Sequence, residues 1–161
     1  MPPSGALENC MKYISFVLII ILFGSCSLII DSYTYNKIGD GFDLYNSTDF
    51  EGLDSFPQIA DFLREKITYE SSTEWKSPKN TYESGIGDCE DIAVLFMNIA
   101  YFTMNVKMDL ATTYLRSISK GGVINHAELY YDGFIYDIYC GIKIYNRSPQ
   151  YIYKFYEILA Y

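Results

Sequence analysis

Residues 89–102 constrain the fold of this chain more than any other stretch. Gly87-Asp88-Cys89-Glu90-Asp91 leads into Ile92-Ala93-Val94-Leu95-Phe96. Ile92, Leu95, Phe96, Ile99 and Ala100 recur at the i, i+3, i+4, i+7, i+8 spacing of a helix, and Ala93 and Ala100 permit close packing. The segment reads as a buried helix. Asp88 is placed to cap it, Glu90 and Asp91 suit its positive end, and Asn105 can close it. Cys89 falls in the first turn, where unpaired N–H groups and the macrodipole favour thiolate over thiol. Thiolate is the nucleophile of cysteine chemistry. The three neighbouring acids oppose that thiolate, which shifts the work of activation onto a base.

The 161 residues suit one domain, and half of them are apolar, enough for a core. A net charge of −8 argues against nucleic acid, whose phosphates need clustered Lys and Arg. Cys10, Cys26, Cys89 and Cys140 match no zinc spacing, and a single histidine supplies no His-rich metal site. Cys140 reads as a packing residue; a disulfide to Cys89, which would silence the thiol, is the alternative. The seventeen tyrosines suit strands and half-buried surfaces.

Ser55 to Tyr69 reads as a helix through Phe56, Ile59, Ala60, Leu63 and Ile67, with Ser55 as N-cap and Pro57 in the first turn. Residues 70–88 are polar and turn-rich, and long for a connection. From Val106 the pattern turns to β. A strand is expected over 107–116 and a turn at Gly121-Gly122. Strands at 123–131 and 134–144 flank Asp132-Gly133, a two-residue hairpin signal. Residues 149–161 fit either a short helix or a strand.

The hairpin bears on the only histidine, His126. With Asp132-Gly133 as the loop, Tyr131 faces Phe134. Counting outward, His126 lies opposite Tyr139 and Asp137 opposite Glu128. His126 and Glu128 share a face, so His126 and Asp137 become diagonal neighbours. A one-residue slip would break this. Such a geometry lets a histidine take a proton from a thiol while an acid holds the ring. The Cys89 N–H can meet a developing oxyanion. Trp75, or a polar side chain of the 75–85 loop, is the candidate second donor.

Gly87-Asp88-Cys89-Glu90-Asp91-Ile92-Ala93, preceded by Trp75-Lys76-Ser77-Pro78-Lys79-Asn80 and followed by Asn125-His126-Ala127-Glu128 and Tyr136-Asp137, resembles the transglutaminase-like superfamily. Within it the likeness is to the bacterial transglutaminase-like cysteine peptidases, over residues 55–145. The resemblance implies an α+β, papain-like core, with the nucleophile helix packed on an antiparallel sheet. It places the nucleophile on Cys89, the base on His126 and the orienting acid on Asp137. It implies a cysteine hydrolase acting on a peptide or isopeptide amide through a thioester. A transamidating acyltransferase and a non-catalytic binding domain are the alternatives. The implied partner is a protein or peptide substrate, and no cofactor is implied. Some relatives bind calcium, which is one reading of Asp88, Glu90 and Asp91. Capping with hydrogen bonds to loop amides is the favoured one, because three adjacent acids rarely complete the six to eight oxygens calcium takes. The chain departs from the family at Asp137-Ile138, where proline is common, and at Asn105, where glycine is.

Residues 16–23 form an apolar run preceded by Lys12 and followed by Gly24-Ser25-Cys26, the anatomy of a secretory signal. It resembles a bacterial lipoprotein signal, with Phe23 where an aliphatic residue is usual. That resemblance implies cleavage before Cys26, lipid on Cys26, and a domain held at the membrane of the cell envelope, outside the cytoplasm. Met11-Lys12 is how such signals begin, so translation is expected to start there. An uncleaved anchor is the alternative, but residues 14–30 barely reach spanning length and contain Gly-Ser-Cys-Ser. The expected organisation is a signal at 1–25, a tether and irregular part at 26–54, and a domain at 55–161.

Overall fold

The structure, a computed structural model, describes residues 48–116, 123–145 and 147–153. The signal expected at 1–25 with Cys10 and Met11, the lipidation expected at Cys26, the turn expected at Gly121-Gly122 and residues 154–161 lie outside them. A 3-10 turn at Thr48–Phe50 precedes the first helix, α1, Phe56–Lys66. Ser55 occupies the N-cap position without a side-chain capping bond, and Pro57 sits in the first turn, where its missing N–H costs nothing. The helix ends three residues before the predicted boundary. Beyond Ile67, Thr68–Tyr69 (β1) is extended and pairs in parallel with Ile86–Gly87 (β2).

The turn-rich connection contains a helix that its punctuation concealed. Ser77 accepts a hydrogen bond from the Asn80 N–H at 3.2 Å, and Pro78 takes the first position of α2, Pro78–Ser84. The predicted central helix, α3, runs Cys89–Met104 and closes on Asn105 in the left-handed conformation. Every residue from Cys89 to Ala100 is buried. Ile59 and Leu63 of α1 pack with Leu95, Phe96 and Ile99 of α3, and with Met108, Leu110 and Leu129. Full burial of side chains of this size stabilises by about 1.5–3 kcal/mol each. The Phe56 ring meets Phe96, Tyr131 and Tyr136 edge-on, at 6.0, 5.8 and 5.2 Å between centroids.

Under α3 lies a five-stranded antiparallel sheet, which makes the fold α+β. Its strands are β3 (Asp109–Arg116), β4 (Val123–Tyr131), β5 (Phe134–Tyr136), β6 (Lys143–Ile144) and β7 (Tyr151–Tyr153), in the order β6-β5-β4-β3-β7. Asp132 and Gly133 both take positive φ, 51° and 81°, the primed turn their sequence predicts. The register is the expected one, with Tyr131 facing Phe134 and Leu129 facing Tyr136. Along β4, Ala127 and Leu129 join the core under α3. His126 and Glu128 alternate with them on the other face, and both are buried. Among the described residues, no helix is long and apolar enough to cross a membrane.

The predicted strand 134–144 is broken. Asp137 accepts backbone hydrogen bonds from Tyr139 and Cys140 through Oδ1, at 2.8 and 2.9 Å. Its own N–H donates to the Ile142 carbonyl, and its carbonyl accepts from the Gly141 N–H. A short acid that captures nearby N–H groups offers the backbone an alternative to the ladder. The resulting turn puts Ile138 in the core and Gly141 against α1. Asp137 therefore does not face Glu128 on a strand.

Gly141 has φ +62°, and a Cβ there would lie 2.3 Å from the Phe56 carbonyl carbon and 2.6 Å from the Pro57 nitrogen. Gly133 also has positive φ but open space around it. Gly133→Ala is expected to cost only the backbone strain, about 1 kcal/mol. Gly141→Ala adds a clash with backbone atoms and is expected to cost about 3 kcal/mol. Denaturant midpoints of the two variants check the ranking, and equal losses would refute it.

Candidate active site

The site begins at the first turn of α3. Asp88 and Asp91 form a reciprocal capping box, each carboxylate accepting from the other's N–H at 3.4 Å. Their remaining oxygens hold the preceding loop. Asp88 Oδ2 accepts from the Ser72 N–H at 3.2 Å, and Asp91 Oδ1 from the Lys76 N–H at 2.7 Å. Capping with bonds to loop amides is therefore what these two acids do. Gly87 lets them approach: a Cβ there would sit 2.9 Å from Thr81 Cγ2 and 3.0 Å from Asp91 Cβ. Glu90 acts differently. Its Oε2 accepts the Cys89 thiol at 2.9 Å. Among the described residues, no three His, Cys, Asp or Glu side chains are grouped to hold a metal.

All three acids are buried. Burial pushes Asp88 up to about 8, helped by the charges of Glu90 and Asp91 and opposed by the Ser72 hydrogen bond. Asp91 rises to about 6, again chiefly through burial, with the Lys76 and Asp88 amides working against it.

The loop tied down by these carboxylates carries Trp75 into the core cluster that contains Cys89. The Trp75 indole N–H is buried without a hydrogen-bond partner. An orphaned buried donor costs free energy, and such groups merit a functional explanation.

The histidine reaches the site from β4. Its ring stacks nearly parallel to that of Tyr139, 6.3 Å between centroids and 11° between planes. Tyr139 reaches the histidine from the turn after β5 and not as its strand partner. The Tyr139 phenol is held well above its usual range, first by burial and then by the negative charges of Cys89, Tyr69, Asp137 and Asp88. Tyr139 is thus a neighbour of both Cys89 and His126. Burial, and then the Arg147 guanidinium, push His126 down to about 3, so the imidazole is neutral at pH 7.

Among the described residues, His126 makes no hydrogen bond to Cys89 or to Asp137. The carboxylate that faces it belongs to Glu128, with Oε1 3.6 Å from Nε2. Glu128 is fully buried and ion-paired to Arg147. Asp137 is raised by burial and lowered by its two amide hydrogen bonds and by Arg64. Arg64, on α1, also donates to the Tyr139 carbonyl.

Cys140 is buried, as a packing residue would be. Cys89 retains its thiol, so it is not bridged to Cys140. The role of Glu128 had a sequence signal, the period-two placement that gives it the face of His126. That of Arg147 had none, since it comes from beyond β6.

No protein-family model and no curated protein matches the chain. Among solved structures, a candidate cysteine protease from Cytophaga hutchinsonii is similar, with a TM-score of 0.49 at 15% identity. The alignment covers 71% of this chain and 45% of that one, so the chain spans less than half of that protein's length.

The buried acids make a pH prediction. With Asp88 and Asp91 raised above their unfolded value of 3.8, the folded chain binds more protons than the unfolded one up to about pH 8. Stability from this cluster is fully present below about pH 4 and is lost as pH rises through about 6 and 8. His126, lowered from 6.5 to about 3, runs the other way, and its contribution is complete above about 6.5. Between pH 6.5 and 8.5 the denaturant midpoint is expected to fall, and Asp88→Asn to flatten that fall, since an amide oxygen still accepts from Ser72. A slope unchanged in the variant would refute the assignment.

Proposed function

We propose that the chain is an exported, lipid-anchored cysteine hydrolase that cleaves a peptide or isopeptide amide through Cys89. The observation that carries this reading is the Cys89 thiol, buried at the capped start of α3. Tyr139 adjoins it and stacks on a neutral histidine. Export and lipid on Cys26 rest on the sequence of the signal, Lys12 through Cys26.

In this mechanism the Cys89 sulfur attacks the amide carbonyl carbon as its proton passes to His126. The neutral imidazole is the form that can accept it. The oxyanion meets the N–H groups at the start of α3 and the unpartnered Trp75 indole N–H. Collapse breaks the C–N bond, and His126 returns the proton to the departing amine. Water then attacks the thioester, releasing the acid and restoring the thiol. An amine in place of water would give transamidation. An acid must hold the imidazole, a place the family resemblance gives to Asp137.

A binding domain that keeps the fold without the chemistry is the second reading. It draws support from the Cys89–Glu90 hydrogen bond, which keeps the proton on sulfur.

Alkylation by iodoacetamide, followed on the Cys89 peptide by mass spectrometry, separates the two. For the hydrolase, His126→Ala is expected to slow labelling of the folded protein by about tenfold or more at pH 7. Slow labelling that is identical with and without His126 would establish the binding domain instead.

A further inference from the structure

We propose that Glu128 is the positioning residue for His126: its carboxylate, pinned by Arg147, fixes the imidazole and answers the charge the ring acquires. This rests on the reading of Cys89 and His126 as nucleophile and base.

The geometry comes from β4. Residues 126 and 128 lie on one strand face, so Glu128 is an adjacent same-face neighbour of His126 on its own strand. Glu128 Oε1 is shared between the Arg147 guanidinium and His126 Nε2, the latter at 3.6 Å. Glu128 Oε2 is buried with no hydrogen-bond partner. A half-satisfied buried carboxylate is an expensive way to fill space. Replacing a buried ion pair by apolar residues is often neutral or stabilising. Its presence beside the only histidine therefore points to work done on that ring.

Asp137 is occupied elsewhere. One of its oxygens accepts two amide N–H groups of its own turn, and its cationic neighbour is Arg64. The groups around His126 are Glu128 on its own strand, Arg147 beyond β6 and Tyr139 in the turn. Thr113 of β3 adds a hydroxyl on the His126 carbonyl at 3.5 Å. With Nε2 turned to Glu128, Nδ1 is the nitrogen left for the thiol proton. As that proton moves from Sγ to Nδ1, the Nε2–H tightens onto Oε1. The negative charge left on sulfur passes to the substrate, and Glu128 balances the imidazolium until the proton leaves with the amine.

The test pairs an NMR titration of the His126 ring with Cys89 alkylation. Arg147→Met removes the competing cation and is expected to raise the histidine midpoint. Adding Glu128→Gln to Arg147→Met should cancel that rise, whereas adding Asp137→Asn should leave it. The double variant removes both charges of the pair, so it leaves no uncompensated buried ion to unfold the chain. Alkylation at pH 7 should slow about tenfold in Glu128→Gln, with partial recovery in Glu128→Asp. The proposal is overturned if the rise survives Glu128→Gln, or if Asp137→Asn cancels it. If His126→Ala leaves alkylation unchanged, the nucleophile–base reading fails by itself, and the titration still decides whether Glu128 acts on the ring.

Discussion

Two carboxylates, those of Asp88 and Asp91, hold this structure at its most expensive point. Each caps the start of α3 with one oxygen and fastens the preceding loop with the other. The floor of the site and one of its walls thus share the same four hydrogen bonds. The helix dipole and the loop amides favour the charged forms, while burial and the crowding of three acids oppose them. Burial wins, and both groups hold their protons to unusually high pH. Trp75 depends on this arrangement, because Lys76 beside it is bound to Asp91.

The same balance governs the thiol. A cysteine at a helix start would be activated by the dipole if nothing else stood near. Here Glu90 takes the thiol hydrogen bond, which keeps the proton on sulfur. The histidine is neutral for a parallel reason, since burial and Arg147 both disfavour its charge. The imidazole therefore rests uncharged beside a thiol that is itself hydrogen-bonded to a carboxylate.

What could be read in the sequence was local. The central helix announced itself through its periodicity and through Asp88 and Asn105 at its ends. Asp132-Gly133 set the turn and the register, as far as Leu129 and Tyr136. The break after Tyr136 was missed because the side chain of Asp137 outcompetes the ladder for two amides, a choice that alternating hydrophobicity does not encode. Helix α2 was missed because Ser77-Pro78 serves equally as loop punctuation and as a helix start. Arg147 and the placing of β7 beside β3 depend on contacts between distant segments, which no short window contains. The histidine's neighbours were accordingly half legible. Glu128 follows from strand alternation, while the cation that holds it does not.

Gly141 gives the site its second wall. Its α-carbon rests on the backbone at the start of α1, with no room for a methyl group. About two turns along, the same helix grips the Tyr139 carbonyl through Arg64. The turn that carries Tyr139 is thus sewn to α1 at two points, one of bare backbone contact and one of charge. A shift of α1 is for that reason also a shift of the ring that lies against His126 and beside Cys89. The outer helix, remote from the candidate site in sequence, is mechanically part of it.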